Sequence, residues 1–159
     1  MAQSNLAKEY VRIRTILDEG DFNTILKNLY SLQMLFTTIN RFMEKFIKTG
    51  ENTLDICAGD IKDLCDLAAP LLAKYEKKIN HNTMYKDLWD CDRLDDKHFQ
   101  TWSKKYTDLF SVVAKLRCFL SVMSYAYCML DAYEKQWNQN NDLTTVIATT
   151  IKNYIRYEY

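Results

Sequence analysis

Glycine and proline are nearly missing. The 159 residues contain 3 Gly and 1 Pro, where average usage would give about 11 and 8. Tight turns depend on those two residues, which argues against a β-sandwich, a barrel or a doubly wound α/β fold, each built on many short connections. Three scattered glycines also leave no phosphate-cradling loop and no dinucleotide fingerprint, and no G-x-S-x-G elbow is present. Histidine is scarce, with 2 in the chain. Neither sits in a Glu-x-x-His pair of the kind di-iron bundles use, and no short-spaced Cys/His pairs suggest zinc. Net charge is missing as well: 21 basic side chains face 21 acidic ones, so no overall field gathers nucleic acid or anionic lipid. The longest strongly apolar run without a charge, Cys118 to Leu130, has 13 residues, against the roughly 20 of a membrane-spanning helix. No metal, no cofactor, no nucleic-acid partner and no membrane partner is expected.

What is present is a chain that is 48% hydrophobic and 26% charged, enough to bury the core of one domain spanning 1–159. The 5 cysteines are odd in number and lack framework spacing. Cys57, Cys65, Cys118 and Cys128 lie in apolar sequence and read as small hydrophobes of a reducing, cytoplasmic compartment. The first residues have no apolar signal region, Ala2 stands where myristoylation needs glycine, and the last residues do not form a prenylation box.

The apolar spacing is helical throughout and predicts an all-α helical bundle of about five helices, three of them long. The first covers about Asn5 to Asp18 and stops at Gly20. Asp21 caps a second, Phe22 to Lys48, whose apolar residues Ile25, Leu29, Leu32, Phe36, Ile39, Met43 and Phe46 form a heptad-like seam. A third runs from about Thr53 to Ile79 on a similar seam, with a kink or break expected near Pro70. Helices two and three are expected to pair antiparallel, with the long helix along both. Residues 80–96 are an irregular acidic segment with a short helix at Met84 to Trp89. The longest helix covers about Lys97 to Trp137, and a last one Leu143 to Tyr157.

The long helix carries a second stripe: Phe119, Val122, Ala126, Met129 and Tyr133. A helix apolar nearly all round is buried all round. Either it is the central helix, or Phe119, Val122, Met129 and Tyr133 form the interface of a homodimer.

Candidate chemistry is sparse. Residues 51–96 hold 6 basic and 11 acidic side chains, a net −5, with Asp87, Asp90, Asp92, Asp95 and Asp96 concentrated at the end. No calcium-loop pattern is met, so these carboxylates read as a solvated loop and helix caps. Arg93 precedes His98 by five positions at the start of the long helix. That spacing resembles the Arg-x4-6-His motif of HEPN-family ribonucleases, which are dimeric helical bundles. The resemblance implies a metal-independent ribonuclease in which His98 is an acid/base group and Arg93 steadies phosphate charge across a dimer.

The reading preferred from the residues is a non-enzymatic protein-interaction module: an inhibitor, adaptor or assembly subunit. Its binding candidates are Trp89, beside the acidic segment, and the Tyr154, Arg156, Tyr157 and Tyr159 group, since exposed Trp, Tyr and Arg are hot-spot residues. Many Lys, Asn, Ile and Tyr against few Gly and Pro also suggest an AT-rich genome, as in small viral or phage proteins. A ligand pocket inside the bundle, lined by Met and aromatic side chains, is a third class.

Overall fold

The computed structural model describes residues 5–51, 54–89, 96–136, 147, 150–152 and 154. The fold is all-α. Six helices follow in order among the described residues: α1 (Asn5–Glu19), α2 (Phe22–Lys27), α3 (Leu29–Thr49), α4 (Ala58–Glu76), α5 (His81–Trp89) and α6 (Asp96–Gln136). Residues 147, 150–152 and 154 are helical too.

Local chemistry sets the boundaries. The α1 and α3 helices end at Gly20 and Gly50, with φ of 65° and 72°, a left-handed conformation that glycine adopts without a Cβ penalty. Asp21 caps α2 by accepting from the Thr24 N–H at 3.0 Å. The expected second helix is broken at Asn28, which separates α2 from α3. Its Nδ2 donates to the Thr24 carbonyl at 2.7 Å, its own N–H bonds the Ile25 carbonyl in a tighter turn, and its Oδ1 accepts from Arg12 at 2.9 Å. An asparagine amide competing with the backbone is what interrupts the helix. Beyond the break the expected seam holds at Leu32, Ile39, Met43 and Phe46, all buried; Leu35 joins it, and Phe36 is only half-buried.

The α4 helix starts later than the spacing suggests, at a capping box in which the Cys57 N–H donates to the Asp60 carboxylate at 3.0 Å. It then runs unbroken through Pro70. Pro70 is on the exposed side, where the Asp66 carbonyl it leaves without an N–H partner reaches water.

Among the described residues, α1, α3, α4 and α6 form the body of the bundle. Both α3 and α4 pack chiefly on α6, and both also touch α1. They are therefore not the adjacent pair that the short connection suggested; they face each other diagonally, with α1 and α6 between them. Contacts fix the directions. Glu134 meets Ala58 and Arg117 meets Glu76, so α4 and α6 are antiparallel. Gln33 meets Lys115 and Phe46 meets Tyr133, so α3 and α6 are parallel. The α3 and α4 helices are thus antiparallel but diagonal to each other, not a side-by-side hairpin.

The core is built from Ile13, Leu17, Ile39, Phe46, Leu64, Leu116 and their neighbours, all fully or nearly fully buried. Of the two alternatives for the second stripe, central helix or homodimer interface, the burial within the chain fits the first. Phe119 and Met129 lie in the chain's own core, and Val122 and Tyr133 are half-buried against it, with the Tyr133 ring edge-on to Phe46 at 5.1 Å. The stripe exists because α6 is central. The late helical residues lie over it as well: Thr150 is fully buried and donates to the Cys128 carbonyl at 3.5 Å. Among the described residues α6 is the one helix long and apolar enough to cross a membrane by length and composition, and half of its most apolar window is buried inside the molecule.

Two cysteines depart from their apolar sequence surroundings. Cys57 and Cys118 are exposed, while Cys65 and Cys128 are buried. Cys57 occupies the cap of α4, and Cys118 is on the outer side of α6 next to the inward Phe119.

Candidate functional site

Among the described residues, two surface regions combine a groove with apolar side chains at its edge. The first is a face shared by α1, α3 and α6. A groove of about 440 Å³ between α1 and α3 is lined by Leu6, Glu9, Arg12, Tyr30, Met34 and Thr38, among others. A second of about 470 Å³, between α3 and α6, is lined by residues including Leu29, Tyr30, Gln33, Ala114 and Cys118. Tyr30 borders both grooves and is 73% exposed, with Met34 at 44%. They are one helical turn apart on α3, so they stand side by side. Arg12 is held in place by Asn28 at 2.9 Å and by Glu9 at 3.7 Å. Phe110, one turn before Ala114 on the same side of α6, is also exposed.

The second region is a cleft of about 500 Å³ where α2, α4, α5 and α6 converge, lined by Phe22, Lys78, Thr83, Asp87, Lys105, Tyr106 and Leu109. The buried Tyr106 donates its hydroxyl to Asp87 at 2.6 Å, and Lys105 reaches the same carboxylate oxygen at 3.3 Å. Burial, together with the hydrogen bond to Asp87 and its charge, pushes the Tyr106 phenol up to about 12. The Tyr106 hydrogen bond, and then Lys105, hold the Asp87 carboxyl below its usual range. Trp102 fastens α5 to α6 by donating to the Met84 carbonyl at 2.9 Å. On the other wall the Tyr75 hydroxyl donates to the Gly20 carbonyl at 3.0 Å, and its ring packs edge-on against Phe22 at 5.3 Å.

The residues singled out from sequence fall differently. Tyr154 is half-buried on α6, with its hydroxyl 3.3 Å from that of Ser121 and its ring edge-on to Tyr125. Arg156, Tyr157 and Tyr159 lie outside the described residues, as does the side chain of Trp89. His98 is exposed in the first turn of α6, whereas Arg93 lies outside the described residues. No group of three metal-ligating side chains occurs among the described residues. Burial raises the Cys65 thiol to about 12, far from the range of a reactive thiolate.

Tyr30 and Met34 are not among the seam residues read from the sequence, and nothing in that reading singles them out as a site. The available signal was their spacing: they form an i, i+4 pair one position off the seam, where a solvated helix face ordinarily carries charge.

Comparison with known proteins adds no relative. No protein-family model matches the chain, and no curated protein or solved structure matches it.

Proposed function

We propose that this helical bundle acts by binding another protein, as an inhibitor, adaptor or assembly subunit, through the α1/α3/α6 face centred on Tyr30. The observation that carries the reading is the exposure of Tyr30 and Met34 on a rigid helix between two grooves, with Arg12 lining one of them. Tyr, Met and Arg are enriched in interfaces, and truncating such anchors commonly costs the most binding energy. Helix presentation fixes the backbone before binding, so little ordering entropy is lost on association. The free thiols Cys57, Cys65, Cys118 and Cys128 support an intracellular setting. The AT-rich composition supports a small viral or phage protein aimed at a host factor.

The test is a paired capture experiment with the wild-type chain and a Tyr30→Glu/Met34→Glu variant. Light scattering on both samples separates a second copy of the chain from a foreign partner. The reading expects a partner retained by the wild type and lost by the variant, with helix content unchanged. A partner set identical for both proteins would remove this face from consideration.

A further inference from the structure

The cleft between α2, α4, α5 and α6 has a composition that protein binding through the opposite grooves does not use. Its volume, about 500 Å³, falls within the roughly 300–1,000 Å³ of small-molecule sites. Phe22, Leu109 and the ring of Tyr106 supply apolar wall, and Lys78, Lys105 and the Thr83 hydroxyl supply polar rim. The carboxylate among the described lining residues is already engaged: Asp87 accepts from Tyr106 at 2.6 Å and from Lys105 at 3.3 Å. Lys78 has no carboxylate partner among the described residues. Its ammonium lies 5.6 Å from the centroid of the Tyr75 ring. Among the described lining residues, two ammonium groups stand against one carboxylate.

We propose that this cleft binds a small amphipathic monoanion, an aryl carboxylate, with its carboxylate at Lys78 and its ring against Phe22 and Leu109. Lys78 and Lys105 beside the single described carboxylate, Asp87, favour a ligand with one negative charge. A cation meets two lysines, and a dianion places its second charge near Asp87 without a partner. The apolar wall selects a ligand with a hydrophobic body over a bare inorganic anion. The walls are set before binding, because Tyr75 is tied to Gly20, Phe22 to Tyr75, and Trp102 to Met84. A preformed site does not lose affinity to its own ordering.

The experiment is a titration of the full chain followed by amide chemical shifts, using 1-naphthoate as the probe. Its neutral counterpart 1-naphthylmethanol and inorganic phosphate serve as comparisons. Saturable shifts at the amides of Lys78, Thr83 and Leu109 are expected with 1-naphthoate, half-saturating below about 1 mM. Lys78→Gln should weaken the probe by about tenfold and Lys78→Arg should restore it, since a charge-assisted contact is lost and regained. Lys78 is exposed, so neither variant threatens the fold. The proposal is overturned if 1-naphthoate gives no saturable shift at the cleft, or if Lys78→Gln binds as tightly as wild type. It is equally overturned if 1-naphthylmethanol or phosphate binds as tightly as 1-naphthoate.

Discussion

The Glu134 carboxylate on α6 accepts a hydrogen bond from the backbone N–H of Ala58 at 3.0 Å. A side chain from one helix thereby satisfies a donor in the first turn of another, 76 residues earlier in the chain. That turn also uses the Cys57/Asp60 capping box, so the start of α4 is secured both locally and from a distance. Glu134→Ala removes the distant acceptor and should cost about 1 kcal/mol of unfolding free energy, the usual magnitude of a lost cap. Glu134→Gln keeps an acceptor oxygen and should lose less. Urea unfolding of the three proteins checks this, and equal midpoints would show that water replaces the carboxylate without cost.

Phe119 decides between the two origins of the second stripe on α6. It is fully buried within the chain, so Phe119→Ala should open a cavity and destabilise the protein by about 3–5 kcal/mol. The mass in solution at a given concentration should not change in any sample that remains folded. A variant that lost a dimer and kept its unfolding midpoint would return the stripe to an intermolecular role.

Long-range periodicity was the part of this fold most legible in sequence. The α6 helix was expected over Lys97–Trp137 and occupies Asp96–Gln136, because an unbroken apolar alternation without Gly or Pro admits one secondary structure. The break at Asn28 was not legible. It depends on a side-chain amide bonded both to its own helix and to Arg12 of α1, and the second partner exists only after packing. The diagonal placement of α3 and α4 was hidden for a related reason: a seam reports that a helix face is buried and not which neighbour covers it. The cleft gathers its lining from Phe22 to Leu109 across four elements, so no local pattern marks it. Tyr30 and Met34 are local and lie off the expected seam of Ile25, Leu29, Leu32, Phe36, Ile39, Met43 and Phe46, yet scattered apolar residues on a helix surface are ordinary and do not by themselves mark a site.

Gly50 tests how strictly the end of α3 is fixed. Its φ of 72° places it where a Cβ meets the following carbonyl, and its N–H closes the α3 terminus on the Phe46 carbonyl at 2.8 Å. Gly50→Ala should therefore destabilise by about 1 kcal/mol despite adding a better helix former. Thermal unfolding gives the answer. An unchanged or raised Tm would mean that the helix end shifts to accommodate the side chain.

The Tyr106–Asp87 contact should shape the pH dependence of stability from both sides. The phenol moves from an ordinary value of 10.0 to about 12 in the folded chain, through burial first and Asp87 second. A raised folded value means that this contribution is complete below about pH 10, where both states keep the proton, and lost as pH rises through about 12. Asp87 is displaced in the other direction, its folded value held below 3.8 by the Tyr106 hydrogen bond and then by Lys105. Its contribution is present above the ordinary carboxylate value and lost as pH falls through the folded one. Tyr106→Phe removes the titrating phenol and the leading cause of the Asp87 displacement together. Urea midpoints measured from acid to alkaline pH should therefore fall less steeply above pH 10 in the variant than in the wild type. Below the carboxylate range the two curves should converge, because the bond to ionised Asp87 is then absent from both. Parallel curves across the whole range would show that the 2.6 Å contact does not couple the two titrations.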